Sequence, residues 1–227
     1  MDLYVSNYAV LHIFGIDIWI TETIVNTWLV IGILTMVGIV FRIAMRNPET
    51  VPKGLQNIAE IVVETFRNFV LSSVGPGLVF LAPWYFAIAS LMLSSVFLSL
   101  LGFRSPTADW VTTFAMAFST FFLMIAMGIK VKGWVGYFKT FLVPGWPFLP
   151  INVIGELAKP VSLSFRLFGN MLSGTIIIAI YNFITPWWAS IGVPVLLHLI
   201  FDIFFGVLQT YICVTISMSY VNDAANG

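Results

Sequence analysis

The strongest constraint on this chain is a succession of apolar runs, each at least as long as a bilayer core is thick. Residues 24–41 (IVNTWLVIGILTMVGIVF), 78–101 and 110–129 contain no Asp, Glu, Lys or Arg. Each is close to the ~20 residues that a helix needs to cross the ~30 Å hydrocarbon core. Two longer runs follow, 151–184 and 194–220. At 1.5 Å per residue these make helices of ~50 Å and ~40 Å, so both are expected to tilt strongly, as a hairpin. Composition agrees, with 9% charged residues and 59% hydrophobic ones, against about 25% charged in a soluble domain. The expected fold is an all-α polytopic membrane protein, a single domain over 1–227 with five membrane-crossing helices.

One segment breaks the pattern. In 53–72 (KGLQNIAEIVVETFRNFVLS), Leu55, Ile58, Ala59, Val62, Phe66 and Phe69 fall at helical spacing, with Lys53, Asn57, Glu60, Glu64 and Arg67 on the other side. That spacing predicts an amphipathic helix, too polar to span and suited to the interface. RIAMRNPETVPK before it reads as a loop. The turn GFRSPTADW carries Ser105 as a helix cap ahead of Pro106, with Asp109 in reach of the helix dipole. VKGWVGYFKTFLVPGWPFLP (131–150) reads as an aromatic, Gly/Pro-rich loop, and Pro186 with Trp187 and Trp188 as the last turn.

Lys and Arg set the orientation. The first 41 residues have none; Arg42, Arg46, Lys53 and Arg67 follow the first span, and Lys130, Lys132, Lys139 and Lys159 follow the third. The 102–109 turn has only Arg104, and the turn at Trp187 has none. The N-terminal segment 1–23 is therefore expected outside and the C-terminus in the cytoplasm. The N-terminus lacks the basic region of a signal peptide, so a bacterial inner membrane is the expected location. Zero net charge without a basic run gives no sign of nucleic-acid binding, and a single cysteine, Cys213, excludes a disulfide framework or multi-Cys metal site.

Arg166 stands inside the fourth apolar run. Arginine does not lose its proton in proteins, and a charge at membrane depth costs ~2.5–3.5 kcal/mol on insertion scales. Ser162, Arg166, Asn170 and Ser173 share one helix face, with Gly169 and Gly174 nearby. Intramembrane ionisable residues default to function; the other reading is a structural ion pair within the chain. The last run carries a second polar face, His198, Asp202, Gly206, Gln209 and Cys213. Asp202 is the internal counterion available to Arg166, or a group lining an aqueous path. His198 reads more simply as an interfacial residue. No nucleophile elbow, phosphate loop or HExxH motif is present, so the expected chemistry is charge movement, with no active site, metal or cofactor. A self-contained channel or transporter is the alternative, but no internal repeat or filter motif supports it. A membrane enzyme binding an anion at Arg166 would find only Asp202 as a base.

KPVSLSFRLFGNMLSG (159–174) resembles the signature of the a subunit of the F-type ATP synthase membrane sector, in which an essential arginine precedes LFGN. VPKGLQNIAEIV, PTADWVTTFAMA and GVLQTYI resemble further stretches of that family in the same order. The resemblance implies an ion-conducting stator subunit, non-catalytic itself. It would work against a ring of c subunits, with a b-subunit peripheral stalk, the rest of the synthase and membrane lipid as its other partners. It implies two half-channels that pass protons or sodium ions to and from ring carboxylates. Arg166 matches the essential arginine, Asn170 the asparagine of the motif, and Gln209 the last-helix glutamine. Asp202 matches a position that is often acidic or His. Thr175 replaces a frequent Glu or His, which removes one proton-carrying group and allows sodium. Ser99 stands where several members have Asn. Ser162 and Ser173 join the ring-facing face, and Thr175, Asp109, Glu156 and His198 are the weaker channel candidates; Glu156 has an ion pair with Lys159 as its simpler reading, and Asp109 a helix-start role.

Overall fold

The computed structural model describes residues 7–13, 16–46, 54–101, 103–185 and 193–226. The expected loop at 47–53, with Lys53, and the turn at Pro186, Trp187 and Trp188 lie outside the described residues. The described chain is helical except for an N-terminal antiparallel hairpin, β1 (Asn7–Ile13) with β2 (Ile16–Thr21). Nothing in the spans announced this hairpin. Its signal is the period-two run IDIWIT, in which apolar Ile16, Ile18 and Ile20 alternate with other residues.

Seven helical segments follow, α1 (Glu22–Ala44), α2 (Leu55–Val74), α3 (Ala82–Leu100), α4 (Trp110–Thr140), α5 (Leu149–Ile184), α6 (Val193–His198) and α7 (Phe205–Asn226). A π-helical stretch, Leu199–Phe204, joins α6 to α7. Five of the helices so formed are long and apolar enough to cross a membrane, which defines a multi-pass membrane protein. Large apolar side chains such as Ile33, Met36 and Ile43 stay exposed along α1. In lipid this exposure carries no penalty, because hydrocarbon is as apolar as the side chains.

The core lies where the end of α2 meets α3, α4 and α7. Val70, Val74, Tyr85, Met124, Met218 and Val221 are buried together there. The first part of α2 leaves Leu55, Ile58 and Val63 exposed. α1 is tied down at its start by polar groups. Thr23 Oγ1 donates to Asp109 Oδ2 at 3.2 Å, and Asn26 Nδ2 donates to the Arg104 carbonyl at 2.8 Å. Ser105 caps the short 3₁₀ turn Pro106–Ala108, and Asp109 caps α4 by accepting from the Val111 amide.

The third span does not end at residue 129. α4 continues to Thr140, through a break at Gly133, and most of the expected loop is helical. The break needs a glycine because φ at Gly133 is +73°, in the left-handed region. Beyond it the helix folds back and sets the Tyr137 ring over Gly128. A Cβ on Gly128 would stand 2.5 Å from that ring. The sequence marks in this stretch, Gly133 and Gly136 among aromatics, signal a bend inside a helix and not its absence. Gly133→Ala meets no neighbouring atom, so its whole effect is backbone strain, about 1–3 kcal/mol where ψ is 165° as here. We expect a lower thermal inactivation midpoint for the detergent-purified protein, whereas Gly155→Ala, at a helical glycine with open space around it, should not lower it.

Candidate functional site

α5 carries the Arg166 face. Ser162, Arg166 and Ser173 are exposed and Asn170 is half-buried, as the four-residue spacing dictates. Pro160 is accommodated inside α5, one turn before Arg166. Arg166 forms no ion pair or hydrogen bond among the described residues, and Asp202 is not its partner. Asp202 turns instead to His198, whose Nδ1 lies 2.7 Å from Asp202 Oδ2. The i, i+4 spacing on one helix settles that pairing locally, so His198 is more than an interfacial residue and holds a buried carboxylate.

Asn170 and Gln209 meet across helices, with Asn170 Nδ2 donating to Gln209 Oε1 at 3.0 Å. Gln209 is 6% exposed and Asp202 7%. Gln209 Nε2 is buried without a hydrogen-bond partner. A buried N–H without an acceptor costs about 1–3 kcal/mol, so this donor calls for an acceptor that the described chain does not supply. Asn170, Asp202 and Gln209 line one cavity of about 30 Å³, together with Thr107 and Thr210. That volume suffices for a water, which needs ≳10–15 Å³. Its remaining walls are apolar, among them Met92, Val96 and Phe205. Thr107 and Thr210 were not legible as site residues, because each reads as a helix-start or helix-packing threonine. Thr175 and Ser173 spend their hydroxyls on the Met171 and Asn170 carbonyls of their own helix.

The π-helical stretch positions this cavity. It widens the turn that carries Asp202, and it lets Gly206 approach α3 so closely that a Cβ there would stand 2.6 Å from Val96 Cγ2. Phe201 packs on Gly174 of α5 in the same way, at 3.3 Å from a Cβ built there.

A second polar cavity, about 630 Å³, lies at the other end of α5. Lys132, Tyr137, Asn152, Glu156, Lys159 and Asp223 are on its walls. Lys159 Nζ pairs with Glu156 Oε1 at 2.6 Å and lies 5.4 Å from the Tyr220 ring centroid, so the i, i+3 ion pair is formed. Glu156 Oε2 is buried without a partner. Asp109 sits at neither cavity and serves as the α4 cap already described. Leu163 and Leu167 of α5 pack with Met92, Ala117 and Cys213 in an apolar layer at the level of Arg166, and Leu167 and Met92 of this layer are also walls of the first cavity.

Fold and site together define a class: a multi-pass membrane protein with a fixed cation, unpaired among the described residues, on one helix face and separate polar cavities on either side of it. Comparison with known proteins gives the family. The profile described as ATP synthase A chain matches residues 24–222, and the chain belongs to that family. It is 35% identical over 209 residues to ATP synthase subunit a 2 of Syntrophotalea carbinolica, covering 89% of this chain and 85% of that one. It is 32% identical to ATP synthase subunit a of Moorella thermoacetica, covering 99% of both. It is also 33% identical to the sodium ion specific ATP synthase subunit a of Propionigenium modestum, covering 90% of this chain and 74% of that one. The chain is thus a membrane subunit of an ATP synthase, with a role in ion transport.

Proposed function

We propose that this chain is the stator half of the rotary ion motor, with two half-channels that meet a ring of c-subunit carboxylates at Arg166. The observation that carries the reading is Arg166 itself: exposed, unpaired among the described residues, and placed between two cavities that an apolar layer separates. By helix rise, Arg166 is ~6 Å along α5 from Asn170 of the first cavity and ~10 Å from Lys159 of the second. A self-contained channel would need those cavities joined within the chain. A stator needs them apart, so that an ion crosses only by riding the ring. The positive-inside pattern puts the Asp202 cavity outside and the Lys159 cavity in the cytoplasm.

In this scheme a proton or sodium ion enters past His198 and Asp202, and passes Gln209 and Asn170 to a ring carboxylate. It returns, after nearly a full turn, to the cavity at Glu156. A carboxylate arriving at Arg166 gives up its ion, because a nearby opposite charge favours the ionised form. Ser162 and Ser173 keep that face narrow and polar. α2 lies along the membrane interface, α5 and the final helix tilt to follow the curved ring, and a b-subunit stalk completes the stator. ATP synthesis takes place in the partner catalytic head.

The test is ATP-driven transport by the whole complex in vesicles, read with a pH dye and labelled sodium. Asp202→Asn should slow transport of the responding ion about ten-fold, since losing a carboxylate from a low-dielectric passage removes on the order of 1.4 kcal/mol of cation stabilisation. Transport at the wild-type rate would remove Asp202 from the ion path.

A further inference from the structure

We infer that the apolar cleft beside the α4 break is a binding site for an acyl chain of an anionic phospholipid. The fold-back after Gly133 leaves a cleft of about 400 Å³ between the end of α4 and the start of α5. Phe121, Ile125, Phe138, Leu142, Val153 and Leu157 line it. Of the polar groups on its wall, Glu156 Oε1 is paired with Lys159, and Glu156 Oε2 and the Tyr137 hydroxyl are the rest. The rest of the wall is apolar and suits a hydrocarbon chain better than water, which needs two to four polar partners.

Two observations name the occupant. The cleft sits at the basic end of the molecule, where Lys130, Lys132 and Lys139 form no ion pair among the described residues. Lys130 rests instead on the Phe80 ring, at 4.5 Å, and Lys139 is exposed in the same turn as Phe138 and Phe141. Trp134, stacked on Phe138 of the wall, and Trp146, in the turn just before α5, are 68% and 80% exposed, as interfacial aromatics are at the headgroup level. Unpaired lysines at that level attract phosphate diesters that lack a compensating ammonium. A flexible methylene chain threads the cleft.

The inference needs the membrane fold and not the half-channel reading, and its test reads lipid, not transport. The whole complex is placed in phosphatidylcholine vesicles doped with phosphatidylglycerol that bears a photoreactive group at the acyl end, and labelled peptides are identified by mass spectrometry. Labels should concentrate on Phe121–Ile125 and Val153–Leu157, and excess phosphatidylglycerol should displace them where added phosphatidylcholine does not. Lys139→Gln should weaken the labelling about five-fold, the expected share of one lysine at an anionic headgroup. Val153→Trp, which fills the cleft, should abolish it. If that variant does not assemble, competition and Lys139→Gln decide. Labelling no denser than at Ile33 and Ile39 of α1, equal displacement by phosphatidylcholine, or a cleft left unlabelled because a partner polypeptide covers it, would each overturn the site.

Discussion

Vesicles carrying the assembled complex with Arg166→Ala are expected to lose ATP-driven ion transport by at least about a hundred-fold, while the complex still assembles. The size follows from the charge. An opposite charge at 4 Å and an effective dielectric near 20 is worth ~4 kcal/mol before desolvation is subtracted, and each ~1.4 kcal/mol is a factor of ten. The preserved assembly follows from the structure. Arg166 is exposed and makes no hydrogen bond or ion pair among the described residues, so removing it leaves no buried partner behind. The structural ion-pair reading predicts the reverse, because deleting one member of a buried pair strands the other at a cost of about 3–5 kcal/mol. Assembly and transport therefore separate the two accounts. The alanine variant should also let ions leak passively, since the fixed cation no longer repels them from the layer formed by Leu163, Leu167 and Cys213. Arg166→Lys should fall between, because an ammonium keeps the charge but not the planar fork. A wild-type pumping rate in Arg166→Ala would sink the stator reading of this residue.

The spans were legible because their signal is global. A run of twenty apolar residues has few alternatives, and the five long helices lie on the five runs. Local pairings were legible for the same reason in miniature. Glu156 with Lys159 and the helix-start role of Asp109 depend only on neighbours in sequence, although the cap of α4 itself falls on Asp109 and not on Ser105. What escaped was set by contact at a distance or by backbone detail. The partner of Asp202 came from its own helix, and the π-helical stretch that aims it leaves no composition signal in LIFDIF. Glycine-rich, aromatic text at 131–150 looked like loop, because helix propensity penalises Gly133 while tertiary contact, Tyr137 on Gly128, holds the segment helical. Asn170 and Gln209 were each recognisable from family resemblance. Their hydrogen bond across 39 residues of sequence was not, nor was the unpartnered amide it leaves on Gln209.

That unpartnered amide depends on how closely the final helix approaches α3, and the approach rests on Gly206. Gly206→Ala is expected to lower both the thermal stability of the complex and its transport. The added Cβ would meet Val96 Cγ2 at 2.6 Å and Cγ1 at 2.9 Å. Val96 is buried and short, with no flexible end to swing away, so the helices must part. Overpacking of this kind costs about 1–3 kcal/mol. Parting them also opens the cavity that Asp202, Gln209 and Thr210 line, and with it the proposed ion path. The companion change decides whether this is the cause. Val96→Ala removes both clashing methyl groups, so the double variant Val96→Ala/Gly206→Ala should recover most of the stability lost by Gly206→Ala, with a favourable coupling of about 0.5–3 kcal/mol in a double-mutant cycle. Additive losses would mean that Gly206 is needed for something other than room. Recovery of stability without recovery of transport would place its importance in the backbone at the π-helical stretch, where Asp202 is aimed, and not in the packing against α3.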